Sequence, residues 1–167
     1  MTQKVIYFFK ESKYSSPLWL LVRLFVGYKW LSAGLDKIVS PDWVGRNSGI
    51  SLVKFLNSSL TKASGPHPDV MSWYAFLIQH VFIPIAPYMS YIVAFGEVIV
   101  GIGLIIGFKT RLSALFGSFM NFNYLFSGAV SINPLLLLLQ ILIIICYKSA
   151  RFLGIDELIK YFKNKKR

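Results

Sequence analysis

Five charged side chains lie inside strongly apolar stretches of this 167-residue chain, where charges are costly. Glu97 lies near the middle of the apolar run 88–108, and the earlier run 17–38 contains Arg23, Lys29, Asp36 and Lys37. Each such charge costs about 2.5 to 3.5 kcal/mol at the centre of a bilayer, so a chain that keeps several is expected to use them together. A carboxylate can exchange protons, and the basic groups can bind an anion. We predict that Glu97, Arg23 and Lys29 form a catalytic site.

Helix geometry predicts which of these charges meet. If the first run crosses outward and the second inward, a rise of 1.5 Å per residue puts Lys29 about 18 Å from the inner end and Glu97 about 14 Å from the outer end. These depths nearly coincide in a hydrocarbon core of about 30 Å, so Glu97 is expected to pair with Lys29 or, after a modest shift, to reach Arg23. The alternative is a buried ion pair that only fixes helix order, since membrane bundles use polar groups to hold helices together.

Further polar and aromatic side chains are candidates for binding a substrate. Helical periodicity puts Lys29 and Asp36 on one face of the first helix. A second face, about 120° away, carries Arg23, Gly27, Trp30, Gly34 and Lys37. Asp36 and Lys37 lie close enough to the outer interface for ordinary solvation to explain them, and the polar groups of the later helices could also bond only to one another. We predict a substrate-binding cavity lined by Trp30, Asp36, Lys37, His80, Asn121 and Tyr124.

Composition indicates a membrane protein and excludes several kinds of site. The chain is 55% hydrophobic with a mean hydropathy of +0.58, above the values of ordinary soluble domains. Its net charge of +11 comes from Lys and Arg at the ends of apolar segments, which suits anionic lipid head groups and not nucleic acid. Cys146 is the single cysteine and only His80 of the two histidines lies in an apolar segment, so we expect no disulfide, metal or haem.

The apolar runs that must position these residues are each close to the length of a membrane crossing, about 20 residues. With four crossings, the basic residues of both chain ends and of the turn around Lys109 and Arg111 share one side, which the positive-inside rule makes cytoplasmic. A fifth crossing within 70–84 would put that turn and the basic tail outside, so we predict that this segment lies in the outer interface. The predicted spans are 17–38, 88–108, 111–130 and 134–151.

The connection from residue 39 to residue 69 is too long for a simple turn and contains a helical apolar pattern. Long ordered loops are often functional, although a surface helix that merely covers the bundle is an equal alternative. We therefore predict an all-α integral membrane protein, a four-transmembrane-helix bundle with a long outer loop carrying interfacial helices. The whole chain, 1–167, forms a single domain, and its interfacial helices are predicted at 49–60, 70–84 and 155–163.

Several short motifs give the chain a resemblance to the DoxX family. The resemblance rests on four stretches: Arg-Leu-Phe-Val-Gly at 23–27, Ser-Ala-Gly-Leu-Asp-Lys-Ile at 32–38, a glycine-rich stretch that contains Glu97 at 96–107, and Lys-Thr-Arg at 109–111. The sequence Met-Asn-Phe-Asn-Tyr at 120–124, the stretch 127–134 and the long outer loop resemble its DoxD branch. Four residues match the charged pattern of the family: Arg23, Lys37, Glu97 and Arg111.

The resemblance implies a membrane subunit of a quinone-linked oxidoreductase that oxidises thiosulfate to tetrathionate and passes the electrons to membrane quinone. Quinone is then the expected cofactor, and the expected partners are membrane lipid, membrane quinone, and a second redox subunit or further copies of the chain. Fold transfers within a family more safely than activity does. A non-catalytic scaffold that recruits a soluble redox partner is therefore an alternative. A small transporter is a weaker one, because the sequence has no convincing inverted repeat.

Overall fold

The computed structural model describes residues 2–165, which contain no strand, and it is 77% helical. Nine helices follow one another along this part of the chain, with a 3₁₀ turn at Lys13–Ser15 before α2 and a π-helical turn at Ile78–Phe82 after α4. The helices are α1 Thr2–Glu11, α2 Ser16–Val39, α3 Ile50–Thr61, α4 Ser72–Leu77, α5 Ala86–Ile106, α6 Thr110–Phe126, α7 Asn133–Ile145, α8 Tyr147–Ala150 and α9 Ile155–Lys165.

The closest helix pair is α2 against α5, because glycines let the two backbones touch. A Cβ on Gly34 would lie only 2.8 Å from the backbone nitrogen of Val98 and 3.0 Å from the carbonyl oxygen of Ala94. A Cβ on Gly101 would likewise lie 2.6 Å from the backbone nitrogen of Leu31. Small residues at helix interfaces permit this approach in membrane bundles. The contacts set the register of α2 on α5 and thereby decide which side chains of the two helices can meet.

The outer faces of the long helices are apolar and exposed. Two helical segments, Lys13–Val39 and Ala86–Ile106, are long and apolar enough to cross a membrane, and only 33% and 39% of their apolar windows are buried. The helix α7 is apolar but shorter. Side chains that would be buried in a soluble protein point outward from α2, α5, α6 and α7, a pattern typical of a lipid-facing surface. Examples are Leu21, Tyr28, Ile92, Ile99, Phe119 and Leu138.

The connection between α2 and α5 folds onto one end of this bundle, which we call the outer end, and the opposite end is called the inner end. Buried Leu52, Leu56 and Tyr74 pack together there, and the Tyr74 hydroxyl donates to the backbone oxygen of Asn123 at 3.1 Å. The amine of Lys62 donates to a backbone oxygen beyond the end of α6 at 2.9 Å. The helices predicted at 49–60 and 70–84 are thus observed as α3 and as α4 with its π-helical turn.

The inner end differs from the sequence-based expectation in two places. Residues 2–11 form α1, for which the sequence analysis predicted no helix, and the Trp19 indole donates to the carbonyl oxygen of Phe9 at 3.0 Å. The segment predicted as one span at 134–151 breaks at Cys146 into α7 and α8. Asp156 at the start of α9 accepts hydrogen bonds from the backbone nitrogens of Lys109 and Thr110, both at 2.8 Å, and so caps α6.

Candidate functional site

A buried carboxylate lies at the centre of the candidate site. The side chain of Glu97, on α5, is 2% exposed and is held by two groups from neighbouring helices. Its Oε2 accepts from the Lys37 amine at 2.7 Å, and its Oε1 accepts from the Tyr124 hydroxyl at 2.5 Å. Three helices therefore each contribute one proton-bearing group, and we call Glu97, Lys37 and Tyr124 the triad.

The glycine contact between α2 and α5 explains why Lys37 reaches Glu97. Gly34 packs against Ala94 and the backbone of Val98, so the next turn of α2 stands beside the carboxylate. Residues three apart share a helix face, which places Lys37 on the same side as Gly34. The amine also lies 5.1 Å from the centre of the Trp43 ring, a cation–π distance. The aromatic ring thus covers the ion pair on its outer side.

An open cleft of about 520 Å³ reaches the triad from the outer half of the molecule. Its walls come from α2, the loop after α2, α3, α5, α6 and the start of α7, so it forms only when all of these elements are assembled. Five aromatic rings and four charged side chains contribute to the wall. The aromatic and charged lining residues are Tyr28, Lys29, Trp30, Asp36, Lys37, Trp43, Phe55, Glu97 and Tyr124.

Two rings hold the phenol of Tyr124 in place. Trp30 stacks on Tyr124 with ring centres 6.3 Å apart and an interplanar angle of 28°. Phe55 from α3 meets the same ring edge-on at 6.1 Å. Aromatic pairs in these arrangements are favourable beyond the area they bury. The phenol is therefore fixed both by its hydrogen bond to Glu97 and by the rings around it.

A layer of buried amides lies beneath the aromatic wall. Gln140 on α7 and Asn121 on α6 are fully buried, and their side-chain amides are 2.6 Å apart. In the orientation that satisfies its hydrogen bonds, the Gln140 oxygen accepts from the Trp30 indole at 2.7 Å and its nitrogen donates to the carbonyl oxygen of Leu136 at 3.2 Å. Asn121 thus lies one layer behind the cleft and does not line it.

The prediction that Glu97 pairs with Lys29 is wrong. Lys29 lines the cleft together with Asp36, but its amine lies near the Phe25 ring, 6.0 Å from the ring centre. The depth estimate assumed that the two runs begin and end at the same levels. The glycine register instead turns the other face of α2 toward α5, and that face carries Lys37.

The prediction that Arg23 reaches Glu97 is also wrong. Arg23 is fully buried about 21 Å from Lys37 along α2, and its guanidinium donates to backbone oxygens at the inner end of the bundle. Its acceptors are Leu104 at 3.1 Å, Ala150 at 2.6 Å and Leu153 at 3.0 Å. The guanidinium thus binds the end of α5 to the segment between α8 and α9, which is a structural task.

His80 lies outside the cleft as well. Its neighbours Tyr74 and Ile78 occupy the buried side of α4 and the π-helical turn, which leaves His80 exposed on the other side. There its ring stacks on Phe76 with centres 4.2 Å apart, and Nδ1 is 3.0 Å from the Phe76 carbonyl oxygen. The sequence showed an imidazole in an apolar segment but not which side of that segment faces the bundle.

The residues of the triad lie within a stretch of the chain that matches a known protein family. Residues 18–128 match DoxX. The chain belongs to the DoxX family. The DoxX match extends from α2 through α6 and includes all three residues of the triad, whereas Gln140 lies beyond it. This is a DoxX membrane protein. No curated protein and no solved structure matches the chain.

The site offers proton and hydrogen-bond chemistry next to an aromatic surface. In the described part of the chain, no group of three or more His, Cys, Asp or Glu side chains is placed to hold a metal ion. Trp43 and Phe55 line the cleft, although the sequence analysis did not select them, because nothing in their spacing showed that the outer loop folds back over the triad. The position of Glu97 within an apolar run made it a candidate site residue, and the structure shows that its partners are Lys37 and Tyr124.

Proposed function

We propose that this DoxX protein is the membrane subunit of a DoxD-like quinone-linked oxidoreductase and that the cleft binds the quinone head group. One observation carries the proposal: a buried carboxylate, ammonium and phenol meet at the base of a cleft walled by aromatic rings. Ligand sites are commonly apolar concavities with a few placed polar groups. Trp30, Trp43 and Phe55 supply flat surfaces for stacking, and the exposed Tyr28 beside them leads to the lipid-facing surface.

The residues of the triad have complementary proton roles in this proposal. Reduction of a quinone to a quinol takes up two electrons and two protons. The hydroxyl of Tyr124 and the amine of Lys37 can donate hydrogen bonds to a quinone oxygen, and Glu97 can pass protons between them. The motifs at 120–124 and 127–134 resemble the DoxD branch and support this part of the proposal. The same resemblance implies that thiosulfate is the electron donor.

The proposed overall reaction balances. Two thiosulfate ions join through a new sulfur–sulfur bond to form tetrathionate and release two electrons, and one quinone takes up these electrons with two protons. The anion needs a cationic group, and Lys29 lines the cleft without an ion pair among the described residues. The electrons pass directly from thiosulfate to quinone or through a second redox subunit. Further copies of the chain would supply additional clefts of the same kind.

We also propose that α2, α5, α6 and α7 cross the cell membrane and that both chain ends are cytoplasmic. The exposed apolar faces of all four helices support this topology. The inner end of the bundle carries Lys10, Lys109, Arg111 and Lys148, which agrees with the positive-inside rule. The amphipathic helix α9, with a basic end, would lie on the inner leaflet.

Purification in a mild detergent, followed by identification of bound quinone and co-purifying proteins, tests the proposed function. Thiosulfate should reduce a short-chain quinone analogue in the presence of this preparation, and Glu97→Gln should lower kcat about 100-fold. Glu11→Gln is the matched control, because Glu11 pairs with Lys148 at the exposed surface. Absence of bound quinone together with absence of thiosulfate-dependent reduction would overturn the assignment.

A further inference from the structure

Gln140 does not line the cleft, yet a chain of contacts through Trp30 connects it to the triad. It is fully buried on α7, and its amide oxygen accepts a hydrogen bond from the Trp30 indole at 2.7 Å. Trp30 in turn stacks on Tyr124, whose hydroxyl donates to Glu97. A single chain of contacts therefore runs from α7 through α2 and α6 to the carboxylate on α5.

The surroundings of Gln140 hold its amide in this one place. Its nitrogen donates to the carbonyl oxygen of Leu136 at 3.2 Å and lies 2.6 Å from the Asn121 amide. Gly117 on α6 leaves the room for it, since a Cβ on Gly117 would collide with the amide oxygen and would lie 3.1 Å from Cδ of Gln140. The Gln140 oxygen and nitrogen thus each have a buried partner, and displacement of the amide would leave these groups unpaired.

We propose that Gln140 is a positioning residue for the triad. Its oxygen fixes the plane of the Trp30 indole, and this plane sets the face against which Tyr124 packs. The ring position then sets the direction of the hydroxyl that bonds to Glu97. Without the amide, the indole loses the acceptor that fixes its plane, and its contact with the phenol changes.

The inference concerns the geometry of the triad and rests on the proposed function only where turnover is measured. Gln140→Met keeps the size and helix preference of the side chain but removes the acceptor for the indole N–H. Gln140→Glu keeps an acceptor oxygen at the same distance from the backbone. The pair of variants separates loss of a hydrogen bond from a general disturbance of packing at position 140.

Fluorine NMR on protein labelled with fluorotryptophan and fluorotyrosine tests the inference without any substrate. Trp30→Phe and Tyr124→Phe assign the two resonances. Gln140→Met should shift both, Gln140→Glu should restore the Tyr124 resonance toward the wild-type position, and the resonance of Trp19, whose indole donates to the Phe9 carbonyl oxygen at the inner end of the bundle, should stay unchanged. A Tyr124 resonance that is insensitive to Gln140→Met, or one shifted equally by both variants, would overturn the positioning role.

Turnover adds a second readout. Gln140→Met should lower kcat for quinone reduction about tenfold with little change in KM, and Gln140→Glu should recover most of it. If Gln140→Met does not fold, Gly117→Ala moves the same amide by steric collision and should shift the Tyr124 resonance. If the wild-type protein is inactive, the proposed function is refuted, and the NMR result alone decides this inference. Equal turnover of Gln140→Met and wild type would contradict it.

Discussion

The ion pair between Glu97 and Lys37 combines burial with a matched partner. Taking a charge out of water costs several kcal/mol, and a partner within hydrogen-bond distance offsets that cost. Glu97 has two such partners, since Tyr124 completes the hydrogen bonding of its second oxygen. A carboxylate stabilised in this way can remain in the apolar bundle and still exchange protons with a ligand in the cleft.

A double-mutant cycle measures how strongly the two charges are coupled. Glu97→Gln and Lys37→Met each leave the other group buried without its partner, so the double variant should be less destabilised than the sum of the single ones. We expect a coupling of about 1–3 kcal/mol in the free energy of unfolding in detergent. The exposed pair Glu11 and Lys148 is the control and should show less than about 1 kcal/mol. Additive effects at Glu97 and Lys37 would show that the pair does not stabilise the bundle.

Arg23 is predicted to stabilise the fold without acting on the substrate. Arg23→Met removes the donors to Leu104, Ala150 and Leu153, so we expect a loss of at least about 3 kcal/mol in the free energy of unfolding. Arg23→Lys should recover only part of it, because an ammonium cannot replace the planar fork. The exposed Arg46 supplies the control variant, Arg46→Met, which should unfold like wild type. An Arg23→Met protein that is stable but inactive would restore the catalytic interpretation.

At the scale of helices, the contact between α2 and α5 holds the site together. The glycines bring the backbones together, and the triad forms because this contact fixes the register. Gly101→Ala would bring a Cβ within 2.8 Å of the carbonyl oxygen of Gly27, and backbone atoms cannot move aside cheaply. Close packing of this kind makes the helix pair sensitive to a single added methyl group.

The matched pair of glycine variants on α5 tests this contact. Gly101→Ala should lower the free energy of unfolding by about 1–3 kcal/mol through overpacking. Gly96→Ala on the same helix should leave it within about 0.5 kcal/mol, since its Cβ would lie 3.6 Å from the end of the flexible Met120 side chain. Thermal unfolding followed by circular dichroism in detergent gives both values. Equal stability of the two variants would mean that the helices are not in backbone contact.

The sequence predicted the helices better than it predicted their mutual arrangement. The runs 17–38 and 88–108 are observed within two residues of α2 and α5, because apolar length is a local property. The partner of Glu97 was wrong, because periodicity defines the faces of a helix but not which face meets a neighbour. The face of α2 that carries Gly27 and Gly34 also carries Lys37, so the glycines indicate which residue of α2 meets Glu97.

Local patterns also explain the other differences. The helix α1 was missed because its ten residues are too short to span a membrane and mix lysines with apolar residues. Its position depends on the distant contact between Trp19 and the Phe9 carbonyl oxygen. Gln140 lies in the last apolar run of the sequence, but only the packing of α7 against α2 shows that it supports Trp30.

At the scale of the whole molecule, the bundle has an apolar surface around its sides and a polar region at each end. The long helices expose apolar side chains around the bundle, and the inner end collects basic residues. The cleft opens on the outer half, where α3 and the loop after α2 cover the triad. In the proposed function, this separation would let a quinone ring from the lipid and an anion from water reach neighbouring parts of one site.

Cysteine accessibility tests the proposed topology. In a Cys146→Ala background, Ser64→Cys on the outer loop should react with an impermeant maleimide in intact cells. Asn164→Cys on α9 should react only after the membrane is permeabilised, because the proposal places α9 on the cytoplasmic side. Both positions are exposed, so accessibility depends on the side of the membrane and not on burial. Labelling of both positions in intact cells would contradict four crossings, and labelling of Asn164→Cys alone would contradict the cytoplasmic placement of α9.

Photocrosslinking with an azidoquinone tests most directly whether the cleft is the quinone site. The protein is reconstituted in lipid nanodiscs, irradiated with the probe and mapped by mass spectrometry. We predict crosslinks to Trp30, Trp43 or Phe55 that excess unlabelled quinone suppresses. Crosslinks that are spread over lipid-facing side chains such as Ile92 and Phe119, and that quinone does not suppress, would contradict the assignment of the cleft.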